Sequence, residues 1–289
     1  MKIDNVIMSV DENEMYMSYW PFISEIWYHL GIHPILIFCT NNISTQFPHS
    51  SKYGEVIPVQ ALKSRTSLYN GTMSRMLAAA AITGTNYITD IDLLPCSREP
   101  LDIIENQLTE NTIATYSHSK LFVASGIIAS SDLFKKIYAA SEIFITSSHI
   151  FWTEEVVDKL ESISNCYNSY EGYFVDYDIY KGFFVDETQF TNCVKKYKKT
   201  NYIRVITMNH ARFVEAWPFS VRHSATYPTV EEVIAGKSCW SFDGIRNGKI
   251  WQLHINHDKD KRLTAYAQNV ILESIKGAIT NANRKCEKS

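Results

Sequence analysis

Three aspartate pairs with a single intervening residue run through the sequence: Asp90/Asp92, Asp176/Asp178 and Asp258/Asp260. On an extended strand, residues two apart face the same side, roughly 6.6 Å apart along the chain. Two such carboxylates together with phosphate oxygens make a shell suited to Mg²⁺ or Mn²⁺. With 13 Asp in 289 residues, random placement alone yields about 0.6 such pairs, so context has to separate them. Asp258/Asp260 sits in the charged run HDKDKR, which reads as a solvated turn. Asp176/Asp178 lies in an aromatic stretch and fits a structural or a substrate-facing role. Only Asp90/Asp92, in YITDIDLLP, follows an apolar strand. Burying two acids there is costly unless something neutralises them, either a metal or a paired arginine. Arg75 is the arginine within reach, as a partner for Asp90 or as a fork of donors for a substrate phosphate.

The elements needed to position those residues can be read along the chain. Asn5–Val10 predicts a buried strand, Ser18–Leu30 a helix stopped by Gly31, and Pro34–Cys39 a second strand. Glu55–Val59 predicts a third strand, near an edge because of Pro58. Thr66–Ile82 predicts a helix ended by Gly84, and Tyr87–Ile91 a fourth strand. Strands alternating with helices imply an α/β chain with a mostly parallel sheet covered on both faces. In such sheets ligands bind beyond the carboxyl ends of the strands, which is where Asp90 and Asp92 fall.

The second half is less regular. Leu121–Ala129 reads as a strand holding Ser125-Gly126; Asp132–Ala140, Val156–Ile163, Asp186–Lys196, Thr229–Ala235 and Arg262–Ile279 read as helices. Lys249–Ile255 reads as a last strand, and Tyr167–Phe184 as loop and strand. No linker or repeat divides the chain, so a single domain is expected, with a nucleotide-binding half over about 1–95 and an acceptor half over about 96–289.

Composition narrows the function classes. The net charge is −3, which argues against a nucleic-acid binder that relies on counterion release. Apolar stretches fall far short of the roughly 20 residues a membrane span needs, and the N-terminus lacks a signal-peptide pattern. A soluble, cytoplasmic protein is expected. Six scattered cysteines without a C-x-x-C pair read as free thiols. Aromatic residues make up 13% of the chain, an excess that suits a core and also permits a sugar or nucleobase site.

The order strand, helix, strand, Arg75-bearing helix and then TDIDLLP resembles the nucleotide-sugar glycosyltransferases of the GT-A fold. The resemblance implies a divalent ion, Mn²⁺ or Mg²⁺, held by the D-x-D on the diphosphate of a UDP-sugar, and transfer of that sugar to a glycan hydroxyl. It implies that Ser9, Val10 and Asp11 meet the nucleobase and ribose, with Tyr16 stacking on uracil or else packing on the first helix. Asp90 would lie near the ribose or metal, and Asp92 would bind the metal directly. His254 would be a further ligand, with His257 as the alternative, since strand alternation puts the two on opposite faces. Ser125 and Gly126 would pass under the donor sugar, or form a plain bulge. Asp186 would be the base of an inverting transfer, or merely cap its helix. Trp152, Trp217 and Tyr173 would line the acceptor site or pack in the core. More loosely, the chain looks like the soluble glycosyltransferases that chloroviruses, large algal viruses, encode to decorate a capsid glycoprotein. That likeness implies UDP-xylose as a donor and the host cytoplasm as the place of action.

Competing classes fit less well. A nucleotidyltransferase would carry a Gly-rich loop after the first strand, where SVDENEMY has no glycine. A D-x-D-x-T phosphohydrolase needs threonine where Leu94 stands. A non-catalytic sugar-binding or capsid-associated protein would keep the aromatics and need neither a metal site nor Asp186.

Overall fold

The computed structural model describes residues 1–115, 122, 126–146, 151–165, 185–208, 235, 251–254 and 261–286. The elements before the D-x-D are β1 (Asn5–Val10), α1 (Glu14–Met17), α2 (Trp20–His29), β2 (His33–Thr40), β3 (Glu55–Gln60), α3 (Ser67–Ala81) and β4 (Thr85–Ile88). After it come β5 (Leu93–Pro95), α4 (Glu99–Glu105), β6 (Thr112–Thr115), β7 (Ile127–Ser130), α5 (Ser131–Ala139), α6 (Glu154–Asn165), α7 (Val185–Tyr197), β8 (Arg204–Thr207), β9 (Gln252–His254) and α8 (Arg262–Cys286).

The main sheet has seven strands in the order β3-β2-β1-β4-β7-β6-β8. β7 runs antiparallel to both β4 and β6, and every other pairing in this sheet is parallel. This is the mostly parallel sheet, covered on both faces, that the alternation of strands and helices implies. β5 and β9 form a separate antiparallel pair. Pro58 lies on β3, the edge strand, where its missing N–H costs no ladder bond.

β1 is buried along its whole length, so its two faces feed two cores. Val6, Met8 and Val10 pack with Trp20, Ile23 and Trp27 of α2 and with Ala267 and Ile271 of α8. Ile7 packs on the opposite side, with α3, α5 and α7. Each fully buried Ile or Val contributes on the order of 1.5–3 kcal/mol. The run Ala78–Ala81 is buried, and its small side chains let α3 lie close to the sheet. Thr66 caps α3 by accepting the Tyr69 N–H, as a threonine with extended backbone does.

Three expectations change in detail. The helix predicted over Ser18–Leu30 starts two residues later, as α2 at Trp20, with Pro21 in its first turn, where no intrahelical N–H is needed, and the short α1 (Glu14–Met17) lies before the predicted range. Gly31 does turn the chain, at φ +76°. β4 ends at Ile88, three residues earlier than Ile91. Asp90 and Asp92 therefore leave the sheet in a turn, closed by the Leu93 N–H on the Asp90 carbonyl at 3.3 Å, and strand alternation does not set how they face. The readings placed on 167–184, 229–234 and 255–260 lie outside the described residues, among them Asp176/Asp178, Asp258/Asp260 and His257.

Candidate active site

β2 and β3 lie to one side of β1, and β4 to the other. The carboxyl ends of β1 and β4 therefore flank the point where the strand order reverses, the usual ligand crevice of an open α/β sheet. Val10 ends β1 there, and Ser9 and Asp11 on either side of it reach across to α3. The Ser9 hydroxyl donates to the Gly71 carbonyl. The Ser67 hydroxyl donates to Asp11 Oδ2, while Asp11 Oδ1 accepts the Asn13 N–H at 3.0 Å. Gly71 makes this crossing close: a Cβ on it would stand 3.3 Å from the Asp11 nitrogen, so the backbone would have to give by a few tenths of an ångström.

A pocket of about 230 Å³ opens at the same end. Asp11, Glu12, Asn41, Lys63, Arg65 and Asn70 line it. Glu12 is fixed by the Thr40 hydroxyl at 2.6 Å and the Asn41 side-chain amide at 2.7 Å. Those bonds, Thr40 first, hold its carboxyl below its ordinary value, so it presents a stable negative charge. The Asn70 side chain accepts from Leu62 N–H at 2.8 Å and donates to the carbonyls of Leu62 and Thr66, which pins the loop before α3. Glu12, Lys63 and Arg65 escaped the sequence reading. Their signal was position: Glu12 follows the first strand directly, and Lys63 and Arg65 precede the Thr66 cap.

Arg75 is the hinge of the second cluster. It is 5% exposed. Its Nη1 donates to the Thr89 carbonyl at 2.9 Å and to Asp90 Oδ1, and its Nη2 donates to Asp186 Oδ2 at 3.2 Å. Burial disfavours the guanidinium charge, and Asp90 and Asp186 outweigh that effect, so its pKa rises. The paired-arginine reading of Asp90 is thus observed. Both ends of the fork are committed to protein carboxylates, which leaves the phosphate-binding reading only Nε, a buried donor with no acceptor among the described residues.

Asp186 is 2% exposed and belongs to the first turn of α7, not to its cap. Its Oδ1 accepts the Glu187 N–H at 2.9 Å. Burial raises its pKa, and Arg75 offsets part of that rise. Negative charge near an α7 N-terminus is favoured by the helix dipole.

Asp92 is buried, at 6% exposure. Tyr16, on α1, reports on its surroundings. Burial first, and then the charges of Asp92, Asp90 and Asp11, push the Tyr16 hydroxyl up to about 12. Tyr16 is half-buried, with its ring 6.5 Å from that of Tyr19, so it lies beside the acids as well as against the first helices. His254 pairs in register with Leu93, the residue after Asp92, so the backbone of β9 runs beside the D-x-D turn. Gly126 directly precedes Ile127, which pairs with Ile88 at the end of β4; Gly126 therefore comes level with the approach to Asp90. Ser125, Trp217 and Tyr173 lie outside the described residues. Trp152 is buried against the ring of Tyr69, at 6.3 Å, as the core reading expected.

No protein-family model matches the sequence. No curated protein matches it either. Solved structures similar to this chain include three of glycosyltransferases. The galactosyltransferase LgtC, in complex with donor and acceptor sugar analogs, is 12% identical with a TM-score of 0.46, over 94% of this chain and 95% of that one. The glycosyltransferase GlyE of Streptococcus pneumoniae TIGR4 is 14% identical with a TM-score of 0.44, over 98% of this chain and 64% of that one. An active-site mutant of LgtC is 12% identical with a TM-score of 0.42, over 92% and 94% of the two chains.

The donor set bears on a metal. Asp11, Asp90 and Asp92 all act on Tyr16, and Asp186 joins Asp90 through Arg75. Two of these acids, Asp90 and Asp186, thus share one buried cation, Arg75. Among the described residues no three His, Cys, Asp or Glu side chains converge as metal ligands. Two carboxylates with water and phosphate oxygens are, however, the usual way Mg²⁺ is bound. Asp90 and Asp92 could serve an ion in that way, with the rest of its shell supplied from outside the protein. Among the described residues, no helix is long and apolar enough to cross a membrane.

Proposed function

We propose that the chain is a metal-dependent glycosyltransferase that moves a sugar from a UDP-sugar to a hydroxyl of a glycan. The observation that carries this reading is the link Asp90–Arg75–Asp186 at the switch point of the sheet. It ties the D-x-D turn to the helix bearing the candidate base, beside a pocket of nucleoside size. UDP-xylose is the first donor to test, with an acceptor on a capsid glycoprotein.

In this reading the pocket between Glu12 and Asn70 takes the nucleoside, and Asp11 and Ser9 border the ribose. Asp92 would hold Mn²⁺ or Mg²⁺ with Asp90 beside it and His254 as a third ligand. The ion would supply positive charge for the departing diphosphate. Asp186 takes the proton of the acceptor hydroxyl as its oxygen bonds to the anomeric carbon. The bond from that carbon to the UDP oxygen breaks, and the configuration inverts. A carboxyl raised by burial is the stronger base for this step, and Arg75 holds it in place.

A second reading has its own support. Asp186 is buried and both of its oxygens are engaged, which suits an anchor for Arg75 rather than a base. Transfer would then proceed with retention, which needs no dedicated base.

The two readings separate by experiment. UDP and Mn²⁺ together should raise the melting temperature, and either alone much less; no joint shift removes the donor site. Asp92→Asn should abolish Mn²⁺-dependent hydrolysis across a screen of UDP-sugars. Asp186→Asn should keep the UDP–Mn²⁺ shift and lower transfer by at least 10²-fold if Asp186 is the base. Near-normal transfer by that variant assigns Asp186 to the anchor.

A further inference from the structure

The opposite end of the sheet carries another set of aromatic and hydrogen-bonding side chains. Tyr28 and His29 close α2, and Tyr53 lies two residues before β3. All three therefore sit at the amino ends of β2 and β3, roughly 23 Å of strand away from the pocket at the carboxyl ends. The Tyr28 and Tyr53 rings are 4.9 Å apart at 41°. The His29 ring is 5.7 Å from Tyr28 and 5.6 Å from Tyr53. Tyr28 is nevertheless 54% exposed.

A carboxylate is oriented beside the rings. Glu25 Oε1 accepts the Tyr53 hydroxyl at 3.1 Å, and Oε2 accepts the Gln268 amide at 2.8 Å. His29 Nε2 stands 3.8 Å from Oε1. The turn carrying Tyr53 is fixed as well. Its N–H donates to Ser51 Oγ at 3.0 Å, and Ser51 Oγ meets Ser24 Oγ at 2.8 Å. Gly54 has φ +78°, and a Cβ there would fall 2.3 Å from the Pro34 carbonyl oxygen. The turn is therefore pressed onto the start of β2.

We propose that Tyr28, His29, Tyr53 and Glu25 form a carbohydrate-binding platform, separate from the transfer site, for one or two pyranose units of a neutral glycan. A pyranose offers a flat face of C–H groups and a rim of hydroxyls. The exposed ring of Tyr28 matches the face. The Glu25 carboxylate and the His29 imidazole supply an acceptor and a donor for the rim. The rings are already held in place, so binding need not order them. Lys52, with its ammonium 4.8 Å over the Tyr53 ring, sets a charge beside the apolar ring faces. The platform does not depend on the transfer chemistry; at a distance from it, it would retain a polymeric acceptor between turnovers.

The test is calorimetric titration of the full chain with xylohexaose, cellohexaose, maltohexaose and chitohexaose. At least one hexaose should bind. Tyr28→Ala should weaken that binding tenfold or more, and Tyr28→Trp should retain it. Tyr53→Phe, which deletes only the hydroxyl that orients Glu25, should weaken it several-fold. None of these variants should change the melting shift given by UDP with Mn²⁺. Failure of all four sugars to bind, or equal binding by Tyr28→Ala, overturns the platform. So does self-association that Tyr28→Ala abolishes while no sugar binds. A chain that binds a hexaose but ignores UDP keeps the platform and loses the transferase reading; the converse loses the platform alone.

Discussion

Arg65, just before α3, and Arg75, inside it, each gather carboxylates from later elements, but they do so on opposite sides of the solvent boundary. Arg75 is buried with Asp90 and Asp186. Arg65 holds three acids of α6: Asp158 at 2.6 Å, Glu161 at 2.8 Å and Glu154 at 4.0 Å. Asp158 is 65% exposed and Glu154 48%, so water competes for these carboxylates. The Arg65 guanidinium also lies 5.9 Å from the Tyr69 ring, and Arg65 forms part of the pocket wall. One residue type on one stretch of chain thus makes a dry joint at the candidate catalytic cluster and a wet one at the pocket rim. The dry joint has few alternatives once broken. The wet one can exchange each protein partner for water at little cost.

The largest effect is therefore expected at Arg75. Arg75→Met should destabilise the protein by about 3–5 kcal/mol, because Asp186 is left as an uncompensated buried acid. For a chain of this size that lowers the melting temperature by roughly 10 °C. Adding Asp186→Leu to Arg75→Met should restore part of the loss, since replacing both partners of a buried pair is far milder than removing one. Thermal unfolding of the single and double variants checks this. A double variant no better than the single would mean that Arg75 is held by its Thr89 contact rather than by the acid.

The same contrast explains what could be read from the sequence. The first half was legible because its strands are continuous apolar runs and its helices are bounded by Thr66, Gly31 and Gly84, each a local signal. Arg75 as the partner of Asp90 followed from one helix and one strand in succession. The contact between Arg75 and Asp186 spans more than a hundred residues, and no local pattern encodes it. The four-residue α1 falls before the helix predicted from Ser18, and Pro21 marks the first turn of α2. β4 was read too long because Thr89, Asp90 and Ile91 continue the apolar alternation after the ladder has ended. The pocket rim was missed because Lys63 and Arg65, in KSRTS, look like any solvated loop until α6 is folded against them.

A middle-sized effect is expected at the wet joint. Arg65→Ala should cost about 1 kcal/mol at low salt, the scale of a partly exposed ion network. Raising the ionic strength to 1 M shortens the screening length to about 3 Å, and most of the difference between wild type and Arg65→Ala should vanish. The cost of Arg75→Met should barely move under the same salt. Melting curves for the two variants at low and high NaCl make the comparison directly. Equal salt sensitivity would erase the distinction between the joints.

The smallest effect concerns protons at Asp186. Burial raises the folded-state pKa of its carboxyl above the unfolded value. Between those two values the folded chain binds the proton that the unfolded chain releases, so the contribution of Asp186 to stability falls as pH rises. It is fully present below the unfolded carboxyl pKa and is lost once pH passes the folded one. This is opposite in sign to an aspartate whose ion pair outweighs its burial. Asp186→Asn removes the titration and leaves a constant offset. The melting temperature of wild type minus that of Asp186→Asn should therefore decline as pH rises across the acid range. A difference that climbs with pH would mean that Arg75 outweighs desolvation at the dry joint. Asp186 would then be held as a permanently charged anchor, too weak a base for the acceptor proton.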